Sequence, residues 1–152
     1  MLELPILYLS RYIIRSKAEY YHRLQAVRDC GEWEAWIVYL LKGVAETARE
    51  SIWLINEIRA LMQEVKQQIR AEMPKIYSQD LLNNLFRHPY TKIEFVMDDL
   101  QVSRPTASSY LSELVNKDLL SVHKLGRSNY YVNNRLIELL LSTHSPKTAT
   151  TT

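Results

Sequence analysis

The residues best suited to chemistry lie between residues 87 and 114, where a His-Pro-aromatic triplet precedes a polar helical segment. The triplet, His88-Pro89-Tyr90, has the form that opens a nucleotide-handling loop. Such a loop holds phosphates with backbone amides, and it needs glycines where the backbone approaches the anion. Residues 91–95 contain no glycine, and the glycines of the chain are isolated at positions 31, 43 and 126. We therefore interpret the triplet as structural, with Pro89 ending a helix and its neighbours shaping the link to the next one.

Metal and nucleophile chemistry would need residue spacings that the chain lacks. His22, His88 and His123 have no partner at metal-ligand spacing, and neither HExxH nor CxxC occurs. Cys30 is the single cysteine, so it forms no internal disulfide, and we expect its thiol to pack between helices. We expect no catalytic residue, no metal and no cofactor. The N-terminus has neither a signal-peptide pattern nor a membrane span, so we expect a cytoplasmic protein without membrane contacts.

Residues 102–114 have the pattern of a DNA-reading helix. An apolar face is expected at helical spacing, formed by Ala107, Tyr110, Leu111 and Leu114. Small polar residues and one arginine are left on the other side, where they allow close approach to bases and pairing with guanine or phosphate. The expected contacts with a DNA groove are Arg104, Thr106, Ser108, Ser109 and Ser112.

Two β-rich runs, residues 119–125 and 129–132, follow this helix and are joined through Gly126, which predicts a hairpin. Its loop carries three side chains that could reach phosphates as a wing: Lys124, Arg127 and Asn129. The formal charge of +2 is too small to argue for nucleic-acid binding by itself. Because Glu113 and Asp118 lie near the exposed face, a second interpretation stays open, in which the wing contacts protein.

The elements that must position these side chains are mainly helical. Ser16 and Glu19 predict a capping box, and the helix that they open should end at Cys30-Gly31. From Trp33 to Met73 only Gly43 interrupts a helical pattern, which predicts one long helix or two broken near that glycine.

We predict a helical segment over residues 1–74, a winged helix-turn-helix over 75–141 and a disordered tail over 142–152. The winged module should contain a helix ending before Pro89, a second from Lys92 to Leu100 and a third capped by Ser103. The hairpin and one or two last helical turns, residues 135–141, complete it.

Two blocks of the sequence resemble Fic (Fic/DOC) proteins. LPILYLSRYIIRSKAEYYHRLQAVRDCGEWEAWIVYLLKGV, residues 4–44, resembles the segment that follows the Fic catalytic motif. LLNNLFRHPYTKIEFVMDDLQVSRPTASSYLSELV and LGRSNYYVN resemble the C-terminal winged helix of one sub-family. The resemblance implies a mainly α fold, with a helical bundle fragment of a Fic-like core followed by a winged helix-turn-helix and its short β-hairpin.

Fic proteins transfer AMP from ATP to a protein hydroxyl, using a loop of the form HPFxDGNGRxGR. The resemblance places that loop before Leu4, and the sequence after His88-Pro89-Tyr90 lacks its glycines and arginines. We therefore carry over no catalytic residue and expect no productive ATP binding. Two interpretations follow. The chain is a non-catalytic Fic relative whose winged helix binds duplex DNA, or it is a fragment of, or partner subunit to, a Fic adenylyltransferase whose winged helix contacts protein.

The same resemblance implies helix faces that a catalytic half would cover in the complete fold. Apolar side chains such as Leu7, Tyr8, Ile13 and Ile14 would otherwise be exposed. Aromatic residues of this segment, Tyr8, Tyr12, Tyr20 and Tyr21, either line the remainder of a nucleotide cleft or form a packed cluster. We expect the chain to form a homodimer through residues 1–72.

Overall fold

The computed structural model describes residues 8–142 and is mainly helical, with a small antiparallel sheet, as predicted. Its elements, in chain order, are α1 (Leu9–Arg15), α2 (Lys17–Cys30), α3 (Trp33–Glu72), α4 (Gln79–Arg87), β1 (Tyr90–Thr91), α5 (Ile93–Leu100), α6 (Arg104–Asn116), β2 (Ser121–Leu125), β3 (Ser128–Val132) and α7 (Asn134–Ser142). The disordered tail was predicted over residues 142–152. Ser142 is the last residue of α7, and the rest of the predicted tail lies outside the described residues.

Contacts divide the chain into two compact units, with the division between Ile55 and Asn56. The first unit, residues 8–55 of the described range, contains α1, α2 and the first part of α3. The second unit, residues 56–142, contains the rest of α3 and every later element. The domain ranges 1–74 and 75–141 stay a prediction.

An aromatic cluster holds the three helices of the first unit together. Tyr39 of α3 is buried, and the ring centroids of Tyr12 and Trp36 lie 5.2 and 5.9 Å from its own. Tyr20 of α2 lies 5.2 Å from Trp36. These contacts support the packed cluster for Tyr12 and Tyr20, whereas Tyr8 is 65% exposed.

Gly43 lies inside α3, which runs unbroken from Trp33 to Glu72, so the alternative of a break at this glycine is wrong. A Cβ atom at Gly43 would come within 2.5 Å of Tyr12 Cδ1 and 2.9 Å of Leu9 Cδ1. The missing side chain therefore lets α1 pack directly against the backbone of α3.

The capping box predicted at Ser16 does not form. The Ser16 hydroxyl donates to the Tyr12 carbonyl at 2.8 Å and lies 2.7 Å from the Tyr39 hydroxyl, so it accepts no bond from the backbone of α2. The hydroxyl is held by α1 and α3 instead. At the other end, Gly31 caps α2 as predicted, with a left-handed φ of 71°. Cys30 is exposed, so the prediction of a thiol packed between helices is wrong.

The hydrophobic core lies in the second unit. The last part of α3 contributes one face with a four-residue repeat, formed by Leu61, Val65 and Ile69, and Met73 continues it directly after the helix end. Onto it pack side chains from α4, α5, α6 and α7, among them Leu81, Leu82, Val96, Leu111, Leu114 and Leu136. Burying an apolar side chain of this size contributes about 1.5–3 kcal/mol relative to leaving it exposed.

The second unit has the element order and strand pairing of a winged helix-turn-helix. The three strands are ordered β1-β3-β2, and both pairings are antiparallel. The hairpin predicted after α6 is confirmed, with Leu125 opposite Ser128 and a two-residue turn between them. Gly126, at the first position of that turn, has a φ of 61°, which favours glycine there. The sequence analysis missed β1, because two residues are too few to show an alternating pattern.

Two serines begin the first and third helices of the winged module. The Ser78 hydroxyl accepts the amide of Leu81 at 3.0 Å, and the Ser103 hydroxyl accepts the amide of Thr106 at 3.4 Å. Between α5 and α6, Gln101 adopts a left-handed φ of 54° and turns the chain. These caps fix where α6, the candidate DNA-reading helix, begins.

Candidate nucleic-acid interface

The buried face of α6 determines which of its side chains reach solvent. Ala107, Leu111 and Leu114 are fully buried, and Tyr110 is half-buried, as the helical spacing predicted. On the other side the predicted groove residues differ in exposure: Arg104, Ser109 and Ser112 are exposed, whereas Thr106 and Ser108 are half-buried. The helix therefore presents an arginine at its first residue and small hydroxyl side chains behind it.

Several of these hydroxyls already have partners within α6. Thr106 Oγ1 lies 2.9 Å from Ser103 Oγ, so it belongs to the N-cap. Ser112 Oγ donates to the Ser108 carbonyl at 2.8 Å, which leaves its lone pairs free to accept from a base.

An ion pair holds Arg104 against the preceding helix. Arg104 Nη1 donates to Glu94 Oε1 at 3.1 Å, and both side chains are more than half exposed. A hydrogen bond from its own backbone amide, and then the Arg104 guanidinium, lower the pKa of Glu94. Glu94 was missed in the sequence analysis, because no spacing rule relates residues ten apart on two helices. Arg104 is therefore oriented by Glu94, which competes with any new partner for the Nη1 donor.

The wing brings its three predicted residues together at one end of the hairpin. Lys124 lies directly opposite Asn129 in the β2–β3 pairing, and Arg127 occupies the turn between the strands. All three are exposed. Neither Lys124 nor Arg127 forms an ion pair with a carboxylate within residues 8–142. Four other cations of the same unit are paired within that range: Arg87 with Asp99, Arg104 with Glu94, Lys117 with Glu72, and Arg135 with Glu64.

The His-Pro-Tyr triplet has a structural role in this fold. His88 caps the end of α4, and Tyr90 begins β1. The carbonyl oxygen of Pro89 accepts the backbone amide of Asn133 at 2.9 Å, which ties the link to the end of β3. The interpretation of the triplet as a connection between helices is confirmed, with a short strand inside that connection.

Within residues 8–142 there is neither a cluster of metal-ligating side chains nor a membrane-spanning helix. No group of three or more histidine, cysteine, aspartate or glutamate residues there could hold a metal ion. None of the helices in that range is both long and apolar enough to cross a membrane.

Comparison with known families agrees with this geometry. The family model for the C-terminal domain of SoFic-like protein adenylyltransferases matches residues 61–136, half of the chain. The chain belongs to this family. The match begins at Leu61 and ends at Leu136, both of which are buried in the core of the second unit. The resemblance to Fic proteins is therefore confirmed over the winged module, and the family is one of protein adenylyltransferases.

Proposed function

We propose that the winged helix of this Fic-family chain binds duplex DNA, with α6 in the major groove and the β2–β3 hairpin on the phosphates. The observation that carries the proposal is at the tip of the wing, where Lys124 and Arg127 have no ion-pair partner among residues 8–142. Cations that face solvent without a carboxylate partner release condensed counterions from DNA when they meet its phosphates. Asn129, beside them, adds an amide donor.

The exposed face of α6 fits a groove because its side chains are small. Ser109 and Ser112 allow close approach, and Thr106 and Ser108 lie at the edges of the same face. Arg104 leaves Glu94 and pairs with guanine or phosphate. The exchange costs little, since an exposed ion pair contributes only about 0–1 kcal/mol, whereas a guanidinium bound to guanine or phosphate gains a bidentate contact.

The chain binds DNA as a homodimer formed through the first unit. An exposed apolar face runs along α3 at helical spacing, formed by Ile37, Leu41, Val44, Ile52 and Ile55. Of the side chains expected to be uncovered, Tyr8 and Ile14 are exposed and Ile13 is half-buried, while Leu7 lies outside the described residues. A second copy that covers this face gives a dimer with two α6 helices. Sedimentation at micromolar concentration should show that dimer, and a well-behaved monomer would contradict it.

The direct test is a titration of labelled duplex DNA, selected from a random pool, with the chain and two double variants. Arg104→Ala with Arg127→Ala should weaken binding about tenfold or more. Arg59→Ala with Lys75→Ala removes the same charge from exposed positions outside α6 and the wing, and it should change affinity by less than about twofold. Unchanged binding by the first variant would contradict the proposal.

A second candidate function follows from the family match itself. The family is named for protein adenylyltransferases, so the winged helix could instead contact protein within an AMP-transferring assembly. Incubation of the chain with labelled ATP and cell lysate tests whether the chain itself transfers AMP. We expect no transfer of AMP, and robust labelling of any protein would overturn the non-catalytic proposal.

A further inference from the structure

A cleft of about 250 Å³ opens beside β1, on residues that the DNA proposal does not use. It is lined by three ring-bearing residues, His88, Tyr90 and Phe95, and by charged and polar residues: Asp98, Asp99, Arg87, Asn84 and Thr91. We call this site the aromatic cleft. Its lining residues come from α4, β1, α5 and the links between them, so it is distinct from the exposed face of α6 and from the wing.

A buried hydrogen-bond network fixes one carboxylate of the aromatic cleft. Asn84, only 4% exposed, donates from Nδ2 to Asp99 Oδ2 at 2.8 Å and accepts the Thr91 hydroxyl at 2.7 Å. Arg87 Nη1 donates to the other oxygen, Asp99 Oδ1, at 2.9 Å. The Asn84 amide, followed by the Arg87 guanidinium, lowers the pKa of Asp99. Asp99 is therefore an ionised and immobile part of the cleft wall at neutral pH.

The second carboxylate is free to bind a ligand. Asp98 is exposed, and its carboxylate forms no hydrogen bond or ion pair with any residue in the described range 8–142. Only its backbone carbonyl is engaged, by the side chain of Gln101 at 2.7 Å. Asp98 therefore presents an unpartnered anion at the aromatic cleft.

The rings of this region already receive a cation from the chain itself. The Lys92 ammonium lies 4.3 Å from the ring centroid of Tyr130 and 5.7 Å from that of Phe95. Tyr90, whose centroid is 5.4 Å from that of Tyr130, remains 40% exposed, and Phe95 remains 37% exposed. Aromatic faces attract cations through their quadrupole.

We propose that the aromatic cleft binds an arginine side chain presented by a partner protein. A guanidinium is planar, so it can stack on Tyr90 while donating two hydrogen bonds to Asp98. A volume of about 250 Å³ is below the roughly 300–1,000 Å³ of typical small-molecule sites and suits a single side chain. Arg87 is already paired with Asp99, so Asp98 is the lining carboxylate without a partner among residues 8–142, and it disfavours phosphate and other anions.

The test uses blocked amino acids as probes and the ¹⁵N-labelled full chain as receptor. N-acetyl-arginine methylamide should shift the amide signals of residues 87–99 with millimolar affinity. The citrulline analogue has the same shape without the charge, and it should cause no saturable shift. The lysine analogue should bind about threefold more weakly than arginine, because it cannot stack or form a fork. Equal binding of arginine and citrulline would overturn the proposal, and equal binding of lysine would overturn the assignment to arginine.

Two variants of the cleft and one control locate the site. Asp98→Asn should weaken arginine binding about fivefold, and Phe95→Leu, which keeps an apolar side chain but removes the ring, about threefold. Asp80→Asn removes an exposed carboxylate from the first turn of α4, outside the cleft, and should leave binding unchanged. The spectrum of each free variant reports its fold. An Asp98→Asn protein with a native spectrum and undiminished binding would place the ligand elsewhere and overturn the proposal.

Discussion

Helices make up most of both units of the chain, but the two units differ in what their helices bury. In the first unit, residues 8–55, the buried side chains are those of Tyr39 and Thr47, and large apolar residues such as Trp33 and Leu41 are more than 60% exposed. In the second unit, residues 56–142, one continuous core includes side chains from α3 to α7. The comparison teaches that helix formation follows local sequence, whereas burial depends on having a partner surface.

The family match falls on the unit with the core. Residues 61–136 contain the whole winged module and the part of α3 that packs on it. The first unit carries an apolar face on α3 without a cover inside the same unit, and large exposed patches of this kind mark association surfaces. Stability should therefore depend on the second unit, and association on the first.

The largest expected difference in the free energy of unfolding is between two variants, each of which replaces one leucine in one unit. Leu111→Ala removes a fully buried side chain from α6 and should lower the free energy of unfolding by about 2–5 kcal/mol. Leu41→Ala removes a side chain that is 62% exposed and should change it by less than about 0.5 kcal/mol. Urea unfolding followed by circular dichroism measures both values. Similar losses of unfolding free energy from the two substitutions would contradict the claim that stability depends on the second unit.

Substitutions of buried polar residues should show the same difference in stability between the two units. Asn84→Ala leaves the Thr91 hydroxyl and Asp99 Oδ2 without their shared partner, which should cost about 2–4 kcal/mol of unfolding free energy. Thr47→Val in the first unit should cost less than about 1 kcal/mol, since its hydroxyl bonds only a helix carbonyl, that of Gly43. The adjacent and exposed Asn83, changed to Ala, is the control for the first variant and should have an effect below about 0.5 kcal/mol. A neutral Asn84→Ala variant would show that the network around Asp99 contributes no stability.

The smallest expected effect is on how steeply the free energy of unfolding falls at acid pH. The folded pKa of Asp99 is lowered by the Asn84 amide and by Arg87, so the group binds protons less readily in the folded chain than in the unfolded one. Its contribution is therefore fully present above the unfolded value of about 3.9 and is lost as the pH falls through the folded pKa. Asp99→Asn should flatten the loss of unfolding free energy below about pH 4. If the unfolding free energy of the variant fell below about pH 4 as steeply as that of the unmodified chain, this role for Asp99 would be contradicted.

Apart from the two-residue β1, the elements of the winged module were predictable because each has a local signal. Serine caps precede α4 and α6, apolar residues recur at helical spacing, and a glycine marks the hairpin turn. Contacts between elements were not predictable in the same way. The partner of Arg104 is Glu94 on another helix, and Ser16 bonds Tyr39, 23 residues away, in place of its expected cap. Both depend on packing angles that no local pattern encodes.

The two candidate sites also differ in whether they could be predicted from the sequence. The cations of the wing could be found from sequence, because a hairpin places its turn residues at its tip. The aromatic cleft could not, since it needs Tyr90 and Phe95 to meet across β1 and α5. Phe95 did carry one signal, because it falls outside the inward positions of α5 although it is large and apolar.

One measurement tests the central claim, that the winged module of the second unit binds DNA. The ¹⁵N-labelled chain is titrated with the selected duplex, and amide shifts are followed residue by residue. Saturable shifts should concentrate in residues 103–112 of α6 and residues 124–129 of the wing, while residues 9–55 keep their positions. A titration without saturable shifts in α6 and the wing, or with shifts confined to the first unit, would contradict the proposed function.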